Sequence, residues 1–341
     1  MLTDTPREPK TGARSGAERW RRELAGAVRE PAELIRRLGL PEALREPAER
    51  AARLYPLRVP GPFIARMRPG DPEDPLLRQV LPVAAETAAV AGYGADPLAE
   101  QAQRTGSGVL EKYHGRSLVL AAGGCPVHCR YCFRRTFPAG DEGGWRSALA
   151  HLEAAGAPAE VILSGGDPLL LDDAAIAECL QRLGRLDGIR RVRIHTRMPV
   201  AIPARVTEAL VRHLARAPLQ AVAVVHANHP HEVDAEVTAA LGRLRGACSA
   251  VLNQAVLLRG VNDDAATLAA LSERLFEAEA LPYYLHLLDP VSGAAHFDVD
   301  ADTGLRLWTE LAHRLPGYLL PRLVREAPGA AAKQVLTPSG P

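Results

Sequence analysis

Between residues 117 and 288, short apolar, β-branched runs alternate with longer amphipathic stretches. The runs are SLVLA (117–121), EVILS (160–164), RVRIHT (191–196), QAVAVV (220–225), VLNQAVLL (251–258) and PYYLHLL (282–288). Their length and branching predict strands. RSALAHLEAAG, AIAECLQRLGRL, RVTEALVRHLAR, VTAALGRLRG and ATLAALSERLFEAEA lie between them and repeat their apolar residues at helical spacing. Six βα units in a row predict an α/β fold: a parallel sheet with right-handed crossovers, closing as a partial (β/α)6 TIM-like barrel. GYLLPRLVRE, residues 317–326, offers a late strand.

The texture upstream is different. Residues 1–15 lack an apolar core and read as a flexible tail. An N-terminal helical region follows over 16–116. It opens with helical spacing in AERWRRELAGAV and PAELIRRLGL, then becomes a proline- and glycine-rich wrap of loops and helices over 57–116. The core is expected over 117–316 and a separate C-terminal segment over 317–341.

In barrels of this kind chemistry sits at the carboxyl ends of the strands. The polar motifs fall there. A cysteine loop, CPVHCRYCFRR, follows SLVLA; SGGDP follows EVIL; Arg197 follows RIHT; HANHP follows AVAVV; Asp289 follows YYLHLL. Five motifs after five predicted strands mark a site.

Composition narrows the options. The net charge of +1 argues against binding nucleic acid by bulk electrostatics. The sequence has no apolar run long enough to span a membrane. Five cysteines, an odd number and mostly clustered, make no disulfide framework and suit a reducing cytoplasm. Cys125, Cys129 and Cys132 can wrap one corner of a cubic iron–sulfur cluster and leave one iron without a protein ligand. S-adenosylmethionine can chelate that iron. A zinc site completed by His128 is the alternative, although zinc sites usually pair two CxxC elements. Cys179 and Cys248 read as buried thiols. CxxxCxxC resembles the signature of radical S-adenosylmethionine enzymes. SGGDP, with Ser164, Gly165, Gly166 and Asp167, is similar to the element with which those enzymes hold the methionine amino group.

The resemblance then becomes specific. CRYCFRR, SGGDPL, RIHTRMPV, LNQAVLLRGVND, PYYLHLLD and GAAHF together resemble the lysine 2,3-aminomutase family, over about residues 57–334. DPEDPLLRQVL, KYHGR and CRYCFRRTFP are most similar to its short branch, which serves the β-lysylation of elongation factor P. The resemblance implies an isomerase, an intramolecular aminotransferase, with a [4Fe-4S] cluster, S-adenosylmethionine and pyridoxal 5'-phosphate. It implies L-lysine as substrate, an external electron donor, and a functional link to elongation factor P and its lysine ligase. No nucleic-acid or membrane partner is expected, and a homo-oligomer is left open.

Site residues follow from the same resemblance. Of 41 basic residues only Lys10, Lys112 and Lys333 are lysine, and Lys333 matches the Schiff-base position. Lys10 lies in the tail, and Lys112 precedes the first predicted strand. Arg134 matches the grip on the substrate carboxylate; Asp289 and Glu326 match the two acids that hold the far ammonium. Tyr113 and Arg197 are expected at the pyridoxal phosphate, with Arg197 on its phosphate. Tyr131 and Gln254 are expected near S-adenosylmethionine. GAAAKQVLTP departs from the family's glycine-rich run before the lysine, and Glu326 stands where the longer enzymes carry Asp. Two alternatives remain: an aminomutase making free β-lysine, or one acting on a related cationic amino acid, for another pathway; and a non-catalytic zinc or iron–sulfur protein associated with RNA.

Overall fold

The computed structural model describes residues 11–105, 108–136, 144–156 and 158–338. One sheet of ten strands runs in chain order: β1 (Arg104–Thr105), β2 (Val109–Tyr113), β3 (Arg116–Ala122), β4 (Glu160–Gly165), β5 (Arg191–Thr196), β6 (Gln220–Val225), β7 (Ala250–Val256), β8 (Leu281–His286), β9 (Arg322–Arg325) and β10 (Gln334–Val335). Strands β3 to β9 pair in parallel, with antiparallel additions at both edges. All six predicted strands are present, and the late strand is β9. Strands β1, β2 and β10 were not legible from the pattern. VLEKY in β2 carries Glu111 and Lys112 among its five residues and gains its partner through a two-residue turn, with Gly115 at φ +74°.

Six helices fill the crossovers: Gly144–Ala155, Asp173–Leu183, Glu208–Ala215, Ala235–Arg245, Ala265–Glu277 and Ala301–Arg314. Five begin on a side-chain cap, from Asp172, Thr207, Asp234, Asp264 and Asp300, each accepting from a backbone N–H in the first turn. Such caps stabilise a helix start by about 1 kcal/mol each, and so fix where each strand-end loop stops.

Alternation along the strands separates two faces. In β5, Val192 and Ile194 are buried on the helix side, while Arg193 and His195 face inward. Side chains from β2 through β10 line one cavity of about 490 Å³. The sheet therefore curls into an open barrel.

The first helix, Thr11–Ala25, starts inside the stretch expected to be a flexible tail. Residues 1–10, with Lys10, lie outside the described residues. The following wrap holds the cysteine loop. Arg130 is fully buried; it donates from Nε to Glu86 Oε1 at 2.8 Å, from Nη2 to Glu86 Oε2 at 2.6 Å, and from Nη1 to Tyr55 O at 2.7 Å. Arg135 shares Glu86, and the His128 N–H donates to Arg58 O. Glu86→Ala would strand two buried guanidiniums. It is expected to cost about 3–5 kcal/mol, read as a lowered urea midpoint with unchanged slope.

Candidate active site

Cys125, Cys129 and Cys132 all line the cavity as free thiols. Burial, then the neighbouring Cys129, pushes the Cys132 thiol up to about 11. Cys125 is raised well above its usual value by burial, then by Cys132, Asp167 and Cys129. Thiols that oppose one another's ionisation are suited to a cationic group that would hold all three as thiolates. Among the described residues no three His, Cys, Asp or Glu side chains converge on a single-ion site. His128 is turned aside: its Nδ1 lies 2.8 Å from Pro56 O and its ring stacks on Tyr55. The donor set fits a cluster better than zinc.

The end of β4 comes within backbone contact of the loop before the cysteines. A Cβ on Gly166 would sit 2.1 Å from Gly124 O, and Gly165 has φ +95°. No side chain fits at Gly166. Asp167 follows, and its carboxylate accepts four hydrogen bonds: Leu169 N–H and Thr196 O–H on one oxygen, Arg197 N–H and Met198 N–H on the other. Those fill its acceptor sites. The expectation that Asp167 meets a ligand's ammonium gives way to a structural one, tying the end of β4 to the end of β5. Ser164 accepts from Arg134 at 3.2 Å. Gln254 lines the cavity with its Nε2 buried and unpartnered.

Tyr131 and Arg197 belong to one buried network. The Tyr131 hydroxyl meets Arg197 Nη1 at 2.7 Å, Asn228 Nδ2 at 2.7 Å and His226 Nε2 at 2.9 Å. Arg197 also donates to Cys129 Sγ, to Gln79 Oε1 at 2.7 Å and to Glu232 Oε2 at 2.9 Å. Only its Nε remains unpartnered. The guanidinium expected on a phosphate is instead committed to the cysteine loop, because Glu232, with no exposed surface, needs its charge.

Lys333 lies at the C-terminal part of the same cavity. Its Nζ is 2.6 Å from Glu326 Oε2 and 5.9 Å from the Tyr284 ring centre. Glu326 also accepts from Lys112 Nζ at 2.7 Å and from the Tyr113 hydroxyl at 2.8 Å. Burial would raise the Glu326 carboxyl, but Lys333 and Lys112 outweigh it and hold it well below the carboxylate range. Lys112 thus lies on β2 inside the site, although its sequence position suggested nothing. Asp289 lines the cavity too, pushed up to about 7 by burial and then by the charge of Glu326. Arg134 makes a two-pronged pair with Glu100, at 2.7 and 2.9 Å, using three of its five N–H groups in all.

Sequence reasoning missed His195, His286, Arg193 and Glu100, and marked His226 only as part of HANHP, without a role. The signal was present in RVRIHT and PYYLHLL: polar residues at alternate positions of strands in a parallel sheet, where both faces are usually apolar.

The Radical SAM superfamily pattern matches residues 119–271. L-lysine 2,3-aminomutase of Escherichia coli is 47% identical over 324 residues, covering 94% of this chain and 94% of that one. The Haemophilus influenzae protein of the same name is 42% identical, covering 93% and 95%. The chain belongs to the L-lysine 2,3-aminomutase family. The aminomutase of Clostridium subterminale is 29% identical, and the match covers 94% of this chain but 78% of that one. As an aminomutase the chain is an isomerase that moves an amino group within one molecule, built on a radical S-adenosylmethionine core that carries a [4Fe-4S] cluster.

Proposed function

We propose that the protein converts L-lysine to β-lysine, using S-adenosylmethionine on a three-cysteine cluster and pyridoxal phosphate on Lys333. One observation carries this reading: a lysine amine, a half-buried acid and three thiols line one cavity. The amine answers to pyridoxal phosphate, the acid to the far ammonium of lysine, and the thiols to the cluster. Arg193 also lines the cavity, and its Nε is buried without a partner, as an anionic phosphate would require. Arg116 and Arg322 line it as well.

When bound, the cluster and S-adenosylmethionine supply a hydrogen-abstracting radical, and pyridoxal phosphate carries the migrating nitrogen. The chain's own residues position and exclude water. Glu100 fixes the plane of Arg134, which retains two N–H groups for a carboxylate. Glu326 holds Lys333 by its ammonium, with Lys112 sharing the load. The wrap supplies Glu100 and Lys112, the core supplies the cysteines, and the last segment supplies Glu326 and Lys333. These three stretches act as one unit around the cavity.

The test is anaerobic reconstitution with iron, sulfide and pyridoxal phosphate, then S-adenosylmethionine, dithionite and L-lysine. β-Lysine is the expected product. Cleavage of S-adenosylmethionine without β-lysine would remove lysine as the substrate. Use of the product on elongation factor P is supported by the motifs shared with the short branch. A β-lysyl mass on that factor should vanish from cells lacking this gene.

A pH effect follows from Asp289. Its carboxyl is raised to about 7, so the proton is held below that pH and lost above it. A cationic side chain needs the ionised form. The apparent KM for lysine should therefore rise by up to about tenfold per pH unit as pH falls below 7. Asp289→Asn should bind weakly and flatten that profile.

A further inference from the structure

His195 on β5 and His286 on β8 line the cavity, and the reading above gives them no task. Each has a buried Nε2 without a hydrogen-bond partner. Leaving a buried polar atom unsatisfied is costly, because it gives up its hydrogen bond to water for nothing. Two such atoms lining one cavity point to a polar group that binds there.

Both rings are held neutral. Burial lowers His195 well below its usual value, followed by the charges of Arg193, Lys333 and Arg134. His286 is lowered by burial and then by Lys333, against an opposing pull from Glu326. His226, also neutral, completes the surroundings of His286. A neutral imidazole can donate one N–H without adding charge. The His286 ring meets Tyr284 edge-on at 5.6 Å, the Lys333 nitrogen lies 5.9 Å from that same Tyr284 ring, and His195 lines the same cavity, so the rings share the space that the lysine nitrogen enters. In a pyridoxal Schiff base the phenolic oxygen stands next to the carbon that joins the lysine, so a group beside that nitrogen is beside that oxygen.

We propose that His195 and His286 are positioning residues that hold the phenolic edge of the pyridoxal ring, donating from Nε2–H to the phenolic oxygen. This deepens the assignment of Lys333 and rests on it. The unprotonated Schiff base leaves the phenolate without its internal hydrogen bond, so an external donor stabilises that form more. The pair therefore lowers the pKa of the Schiff base, and removing either ring raises it.

The experiment titrates the visible absorbance of the pyridoxal-loaded protein from neutral to alkaline pH. His195→Leu and His286→Leu should each raise the transition by about one pH unit, while His195→Gln and His286→Gln, which retain a donor, should stay close to wild type. Borohydride reduction and mass analysis locate the cofactor on Lys333 in every variant. Leucine variants that titrate as wild type would overturn the proposal, as would glutamine variants that shift as far as leucine. A second measurement on wild type stands if a leucine variant does not fold. 3-Deoxypyridoxal phosphate, lacking the phenolic oxygen, should bind at least about tenfold more weakly than pyridoxal phosphate. Equal affinity would overturn the assignment. A wild type without reducible adduct on Lys333 would overturn the Schiff-base reading itself, a result distinct from an unshifted titration.

Discussion

Lys333→Ala is expected to abolish the pyridoxal adduct and to lower β-lysine formation by about a thousandfold or more, because no other group supplies the covalent anchor. The fold should survive. Glu326 would keep Lys112 at 2.7 Å and Tyr113 at 2.8 Å, so its charge is not left unpaired. The melting transition should therefore move by no more than about 1 kcal/mol equivalent. Borohydride reduction followed by peptide mass analysis reads the adduct, and product analysis reads the reaction. An adduct that persists would transfer the role to another lysine. Lys112 is the one to test, since it meets the same carboxylate from the opposite strand edge. Lys112→Ala should keep the adduct on Lys333.

Cys132→Ala is the second large effect. Loss of one of three thiolates is expected to lower bound iron to a small fraction of wild type, and S-adenosylmethionine cleavage with it, by about a hundredfold or more. The apo protein should be little affected. Burial and Cys129 hold the Cys132 thiol up to about 11, so it is neutral at physiological pH and its loss removes no charge. Cluster assembly must then release protons from the thiols, and iron incorporation should fall as the pH of reconstitution is lowered. Iron and sulfide analysis decides both points. Cys179→Ala serves as the control: it sits fully buried in the helix Asp173–Leu183 and should cost some stability without changing iron content. Unchanged iron in Cys132→Ala would remove the cluster from this loop.

Several residues show where reading the chain stops. Asp167 read as a ligand for an ammonium because it follows two glycines at a strand end. The fold spends both of its oxygens on Thr196 and three backbone N–H groups. The resemblance implied Arg197 as a phosphate contact, yet the buried charge of Glu232 draws it to the cysteine side. Lys112 read as unplaced because β2 carries no strong apolar pattern. Its pairing with β3 and the return of the chain at Glu326 are long-range events that no local window contains.

The sequence by itself determined the six parallel strands, their helices and the cysteine loop. Each is written in local spacing: period two in strands, period 3.6 in helices, and the offsets of the three cysteines. Tertiary structure alone decided which face of each strand meets the cavity and which charges meet there. In RVRIHT the alternation separates Arg193 and His195 from Val192 and Ile194, but only the curl of the sheet gives the first pair a shared space with Lys333. Charge pairing is settled by distance across the barrel and by the cost of leaving a buried ion alone. Both depend on segments far apart in the chain, as in Lys112 with Glu326, more than two hundred residues on, and Arg130 with Glu86 in the wrap that encloses it.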